Sequence, residues 1–353
     1  MIRIDRPIFT HPPFTIHQRL LADDVGESLQ WWLTDTQVND FWVRTGGGEG
    51  IKIGIVDTGI DEEHRQSGDL TQVVADAKDF TGSRHGWRDQ HGHGTHVAGI
   101  IAAGFGNRQG VAGLAHKAKL YCAKGLGDSG SGSDSEVSNA IFWCIEQGCH
   151  IINLSLGSPV PSQRIKNAVE DAHDSGVIVL AAAGNAGGED NVGYPAKYDT
   201  CFAVGAIDRT KRIARFSDSG LEVDGVGYGV KMLSCYQNGE YAVLSGTSMA
   251  TPHLAGFVAN RMSAELKHTG SLKTSSLAKL INLFRATSQD LGDSGHDPEY
   301  GHGFPITDKL FSLGLEDGGD GDQPIDDGSG FQIGPFIIHS PSQPDGLLSV
   351  HMT

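Results

Sequence analysis

The chain has 353 residues, 38% of them hydrophobic and 20% charged, which is enough apolar content for one large globular domain with extensions or for two ordinary ones. Its net charge of −16 argues against nucleic acid or an anionic membrane as a main partner, because both require clustered Lys and Arg. No apolar run approaches the ~18 residues of a membrane-spanning helix, and the opening MIRIDRPIFTHPPF lacks the apolar core of a secretory signal.

Residues 1–34 read as an irregular N-terminal extension, with Pro7, Pro12 and Pro13 early and Trp31-Trp32 near its end. A short amphipathic helix capped by Asp35 or Thr36 is expected over 35–45, broken by GGGEG. IKIGIVDTG is apolar and β-branched and reads as a buried strand ending in a turn. HVAGIIAAG is expected to be helical, AKLYCAKGL a strand, DSEVSNAIFWCIEQG a helix stopped by Gly148, and HIINLSLG a strand. SQRIKNAVEDAHDSG sets Ile165, Ala168, Val169 and Ala172 on one helical face, and VIVLAAAGN and CFAVGAID add two strands. TSMATPHLAGFVANRMSAEL is a long helix with Pro252 in its first turns, where a missing N–H costs little, and SSLAKLINLFRAT is another.

Strands alternating with helices predict βαβ units and a three-layer α/β fold over 35–313, a doubly wound and mostly parallel sheet with helices on both faces. Residues 314–353 form an acidic tail. It opens with the Gly/Asp-rich linker LEDGGDGDQPIDDGSG, and FQIGPFIIH after it could supply one strand. From Ser312 onward there are seven acids and no Lys or Arg, so this tail holds nearly half of the charge deficit. The five cysteines, Cys122, Cys144, Cys149, Cys201 and Cys235, are odd in number and lack CxxC spacing, which reads as free thiols in a reducing compartment.

The chemistry gathers around HGHGTHVAGI, where His91, His93 and His96 fall within six positions. Two kinds of site fit that cluster. A metal reading compares it with H-x-H-x-D-H, the motif of dinuclear zinc hydrolases, but Thr95 stands where that motif has Asp. A proton reading needs a nucleophile near one histidine and an acid behind it. Asp57 closes a buried strand, at the sheet edge where open α/β folds place their sites. Ser248 opens a helix behind Gly246, where unpaired N–H groups and the helix dipole favour an anion.

IVDTGID, HGTHVAG and GTSMATPHLAG, in that order, resemble the three signature segments of the subtilisin family of serine peptidases. AAAGNAG resembles the segment in which that family carries its oxyanion asparagine. The resemblance runs from about Asp35 to Leu313. It implies a subtilisin-like fold and a serine endopeptidase acting on protein or peptide substrates, with no cofactor for catalysis. Carried over by position, Asp57 is the orienting acid, His93 the base and Ser248 the nucleophile. Asn185 is the oxyanion donor together with the Ser248 N–H, and Thr247 supports that hole. A side-chain donor of this kind contributes about 3–4 kcal/mol to the transition state, a magnitude measured on subtilisin itself rather than derived from this chain. His96 is then expected to pack or hydrogen-bond inside the helix layer and His91 to lie on a loop surface. Asp89 either shapes the cleft rim or is a plain loop acid.

The same resemblance implies a peptide-binding cleft. Gly130, Ser131 and Gly132 match one edge and Ser155, Leu156 and Gly157 the other, so that an extended peptide would lie between them as an added strand. Gly193, in VGYPAKY, would leave the primary pocket open to large apolar side chains, and Tyr194-Pro195 matches a position at which family members hold a cis bond. The segment DGVGYG departs from the family pattern before the nucleophile strand. The loop GFGNRQG offers Asn107 and Gln109 but no carboxylate, so no calcium site is carried over to it; a structural calcium ion elsewhere is not assigned to residues. The short extension resembles that of the intracellular members. A cytoplasmic location is expected, with residues 1–22 occupying the cleft until cleaved. The rival readings are a zinc-dependent hydrolase built on His91, His93 and His96, and a non-catalytic peptide-binding protein on the same fold.

Overall fold

A computed structural model describes residues 7–20, 30–36, 38–107 and 110–312. The expected linker, the possible strand after it and the rest of the acidic tail lie outside the described residues.

The N-terminal region contains regular structure where an irregular segment was expected. Strands β1 (Ile8–Thr10) and β2 (Thr15–Leu20) are followed by helices α1 (Trp31–Asp35) and α2 (Val38–Thr45). Trp32 and Leu33 are buried in the core, so the chain joins the globular body before residue 34. The strands escaped sequence reading because their partners, residues 131–133 and 241–245, lie more than 100 positions away. Of the two residues expected to cap α2, Asp35 instead accepts a hydrogen bond from the Tyr228 hydroxyl, and Thr36 donates to Leu33 O at 2.8 Å.

The next elements are β3 (Lys52–Asp57), α3 (Glu62–Gln66), β4 (Val74–Asp79), α4 (His93–Ala102), β5 (Lys119–Lys124) and β6 (Ser131–Ser133). They continue with α5 (Asp134–Glu146), β7 (Ile151–Leu154), α6 (Gln163–Asp174), β8 (Ile178–Ala182) and β9 (Cys201–Ile207). The last ones the site needs are β10 (Val223–Tyr228), the hairpin β11 (Met232–Cys235) and β12 (Tyr241–Ser245), α7 (Thr247–Thr269) and α8 (Leu277–Thr287).

Seven strands form one parallel sheet in the order β10-β9-β8-β7-β3-β5-β4. Its central strands are buried on both faces, which is why they read as unbroken apolar runs. Edge strand β4 and the Gly- and Asp-containing β10 carried no such signal. Helices α4 and α7 pack on one face and α5 and α6 on the other, with a hydrophobic core on each side. Helix α5 starts with a capping box, the Ser133 side chain against the Glu136 N–H and Glu136 against the Ser133 N–H. Helix α6 buries Ile165, Ala168, Val169 and Ala172, the face read from its periodicity. Helix α7 is buried continuously from Thr247 to Glu265, so it shows little polar–apolar asymmetry.

The order of strands locates the cleft. From β3 the chain goes out to the edge strand β4, returns to place β5 between β3 and β4, then switches to the other side with β7. In open parallel sheets such a switch leaves a crevice beyond the carboxyl ends of the strands. Asp57 ends β3 there, and the 155–157 loop leaves β7 beside it.

Candidate active site

Asp57 is 1% exposed and His93, the first residue of α4, is fully buried. His93 Nδ1 lies 2.8 Å from Asp57 Oδ1, which also accepts the Thr58 N–H at 2.7 Å. The close approach of helix to strand end depends on Gly94: a Cβ there would stand 2.4 Å from Gly59 O. Asp89 ties the two pieces together. Its Oδ1 accepts from Thr58 Oγ1 (2.9 Å), His91 N (2.9 Å) and Gly92 N (2.8 Å), and its Oδ2 from Thr95 N (3.0 Å) and Thr95 Oγ1 (2.7 Å). Thr58 Oγ1 accepts in turn from Gly94 N at 2.9 Å. Burial resists ionisation of Asp89, but the donors on Thr95, Gly92 and His91 outweigh it and hold the carboxyl below the usual range. Asp89 is thus a buried organiser of the start of α4, more than a plain loop acid.

Ser248 is the second residue of α7 and is fully buried. Its hydroxyl donates to Ser155 O at 3.3 Å, while Ser155 Oγ donates to Ser248 O at 3.0 Å and accepts from Asn153 Nδ2 at 2.9 Å. His93 Nε2 is buried with no hydrogen-bond partner. The acid–imidazole pair is therefore formed while the serine hydroxyl is turned aside, and a hydroxyl changes partners by rotating between staggered χ1 wells.

Asn185 lies on the loop after β8. Thr247 donates to its Oδ1 twice, from N at 2.8 Å and from Oγ1 at 2.7 Å. That pair of donors settles which end of the carboxamide points outward: the NH₂ faces the cleft. The loop itself is held by Asp218, which sequence reading missed because it lies in no motif. Asp218 Oδ1 accepts from Ala186 N (2.9 Å) and Asn191 Nδ2 (2.8 Å), and Asp218 N donates to Gly184 O (3.0 Å). Burial pushes its carboxyl up, against the pull of these donors.

The edges expected to bind peptide hold a segment of the chain itself. Strand β1 pairs antiparallel with β6, Phe9 opposite Gly132 and Thr10 opposite Ser131. On the other side Thr10 and Gly157 exchange two hydrogen bonds, of 3.0 and 2.7 Å. Three residues on, Pro13 O accepts from Asn185 Nδ2 at 2.7 Å. The rings of His11 and Phe14 each lie 5.0 Å, centroid to centroid, from that of His93. Strand β2 then adds to β12, with His17 Nε2 2.7 Å from Ser245 Oγ and Arg19 over the ring of Tyr236. Residues 8–20 thus form a strap along the cleft. Leu156 is fully buried, and Gly193 donates to Ala183 O beside the cis Tyr194-Pro195 bond. A Cβ on Gly193 would stand 3.4 Å from Ser158 O.

The three histidines do not converge. His96 Nε2 faces Met232 O (3.1 Å) and Ala242 O (3.0 Å) within the core, and burial pushes its pKa down to about 3. His93 Nδ1 is engaged by Asp57. His91, expected on a loop surface, is half-buried, its Nε2 3.2 Å from that of His11. Among the described residues, the one compact group of three or more His, Cys, Asp or Glu side chains is His64, Asp69 and Cys235. Asp69 reaches the loop after α4 from a distant position. It accepts from Asn107 Nδ2 (2.7 Å), Val111 N (2.9 Å) and Tyr241 OH (2.9 Å). Donors aimed at a carboxylate are the wrong polarity for companion ligands of Ca²⁺, which takes oxygen acceptors.

A parallel α/β sheet that sets an Asp–His pair, a helix-opening serine and an outward-facing carboxamide at its carboxyl edge defines a hydrolase of the nucleophilic-serine class. Comparison with known proteins names the family. The subtilase family model matches residues 48–303. Subtilisin DY of Bacillus licheniformis is 42% identical over 259 residues, covering 72% of this chain and 89% of the relative. Subtilisin Savinase of Lederbergia lenta is 42% identical over 233 residues (66% and 84%), and subtilisin E of Bacillus subtilis strain 168 is 37% identical over 286 (80% and 71%). The chain belongs to the subtilase family and is a serine endopeptidase.

Proposed function

We propose that peptide hydrolysis here runs through Asp57, His93 and Ser248, with Asn185 as oxyanion donor. Once Ser248 Oγ turns from Ser155 O, His93 Nε2 takes its proton as the oxygen attacks the peptide carbonyl. His93 then returns that proton to the leaving amine, which leaves an acyl-enzyme on Ser248. A water activated by the same imidazole attacks that ester, releasing the carboxylic acid product and restoring the serine. Asp57, fixed on Nδ1, stays ionised and stabilises the imidazolium. The carboxamide of Asn185, oriented by Thr247, meets the negative charge on the carbonyl oxygen together with the Ser248 N–H. The observation that carries this reading is the 2.8 Å His93–Asp57 contact at the start of α4, a helix packed against α7, whose second residue is Ser248. A fluorophosphonate probe should label Ser248 in a strap-deleted enzyme and leave Ser248→Ala unlabelled; activity unaffected by the probe but abolished by a zinc chelator would restore the zinc-hydrolase reading. The path of residues 8–13 supports β6 and the 155–157 loop as substrate edges. The absence of a side chain at Gly193, beside Ser158 O and Ala183 O, supports a preference for large apolar residues on the acyl side, which cleavage profiling on a peptide library would test.

The strap is read as a self-inhibitor. It takes the track of a substrate, yet Pro12 and Pro13 have no N–H to extend the pairing beyond Thr10. Pro13 O uses the Asn185 donor, and His11 and Phe14 cover His93. Deleting residues 1–22 should raise the initial rate on a small peptide substrate; an unchanged rate would overturn self-inhibition. Five unpaired, buried cysteines support a reducing, cytoplasmic location. Among the described residues no helix is long and apolar enough to cross a membrane.

A further inference from the structure

His11 of the strap and His91 of the body bring their Nε2 atoms to 3.2 Å across the cleft edge. Two imidazole nitrogens sharing a tetrahedral Zn²⁺ at about 2.0–2.1 Å stand about 3.3–3.4 Å apart, so the pair is already spaced as two ligands of one ion. The tautomer of His11 suits that role. Its Nδ1 faces Pro12 O at 3.4 Å, the carbonyl partner that a metal-bound histidine commonly gives its second nitrogen, and Nε2 is left with its lone pair. His91 Nδ1 has no hydrogen-bond partner, so without an ion its proton sits on Nε2 and is donated to His11; a bound cation would replace that shared proton, with His91 taking its other tautomer. Gly130 supplies the space. A Cβ there would stand 2.4 Å from His11 Nε2 and 3.1 Å from His91 Nε2, so any other residue would fill the ground between them. Both rings are uncharged at neutral pH: burial, with His93 and His91 beside it, pushes His11 down to about 4, and burial and His93 push His91 down as well. Neither ring is fully buried, so water can complete the coordination.

We propose that His11 and His91 together bind a zinc-type divalent cation that latches the strap across the cleft. The proposal rests on the strap reading above, because one ligand comes from the strap and the other from the enzyme body. An ion held this way binds only the closed form and stabilises it by mass action. It differs from the rival zinc hydrolase in using neither His93 nor His96 and in holding the enzyme inactive.

The test uses the full chain carrying Ser248→Ala, which cannot cut its own strap. Zinc chloride is titrated calorimetrically into this protein and into the same protein with His11→Ala, His11→Gln or His91→Ala. An unrelated protease then measures how fast residues 8–20 are cut with and without zinc. One equivalent bound, lost in all three variants, with strap cutting slowed by zinc in the parent alone, is the expected result. No uptake, uptake that survives His11→Ala or His11→Gln, or uptake that leaves strap cutting unchanged would overturn the latch. Melting temperatures without zinc identify any variant that misfolds, and His11→Gln keeps a polar side chain should alanine disturb the strap. Failure of the strap reading itself would show separately, as an unchanged rate on deleting residues 1–22 without added metal.

Discussion

The strap and the body beneath it are held by different forces. The site's side chains sit on buried elements, and Asp57, His93, Thr247 and Ser248 are all at most 1% exposed. The strap keeps only Phe9 and Pro12 buried; the side chains of β2 are exposed almost throughout, and it is held on β12 by main-chain pairing and by the His17–Ser245 hydrogen bond. Individual main-chain hydrogen bonds contribute about 0.5–1.5 kcal/mol net, whereas losing a large buried apolar side chain costs about 2–5 kcal/mol. The body can therefore stay assembled while the strap leaves, as the proposed self-inhibition requires.

Breaking that contrast should produce effects in a definite order, each read on strap-deleted enzyme unless stated. Ser248→Ala should lower kcat by about 10⁶-fold, the magnitude found for the same substitution in a subtilisin; retention of more than a small fraction of activity would remove Ser248 from the mechanism. If Asn185 is the oxyanion donor as proposed, Asn185→Ala should lower kcat about 10²–10³-fold with KM nearly unchanged, again a magnitude known from subtilisin. Asp89→Asn should reduce kcat about tenfold and the melting temperature measurably, because an amide NH₂ replaces an acceptor facing Thr95, and an unmet buried group costs about 1–3 kcal/mol. Thr247→Val should cost less, about tenfold or below, by freeing the Asn185 carboxamide to turn without displacing it.

The smallest effect concerns the strap. His11 is pushed down to about 4 when closed, against about 6.5 when free. The open form thus binds the extra proton between these values, and closure is fully favoured above pH ~6.5 and weakens as pH falls toward 4. The groups around His11 agree with that sign: His91 and His93 oppose its charge, and Asp57 only partly offsets them. Amide exchange of β2 in full-length Ser248→Ala should accelerate over that range, and exchange independent of pH after correction for intrinsic rates would remove His11 as the cause.

Much of this was legible in the sequence, for reasons that differ by residue. Asp57 and Ser248 stood out because one closes a strand and the other opens a helix; His93 and Asn185 were singled out by the resemblance of their motifs to a known family. The central strands were readable because burial on both faces makes them apolar throughout. β4 and β10 were not: the first is a half-exposed edge, and the second carries Gly and Asp whose fit depends on its neighbours. Asp218 and Asp69 lie in no motif and were not singled out. Their value comes from donors contributed by other segments, Ala186 and Asn191 in one case, Asn107, Val111 and Tyr241 in the other.

The sequence alone determined the layered α/β class, because periodicity is a local property of the chain, and it offered the candidate site residues through short motifs that resemble those of a known family. Only the tertiary structure decided that Pro13 faces Asn185, that His11 meets His91 and that the Ser248 hydroxyl turns toward Ser155. Each is a contact between segments 80 or more positions apart. Such contacts are set by how the sheet edges and loops close on one another, which no single stretch of chain encodes.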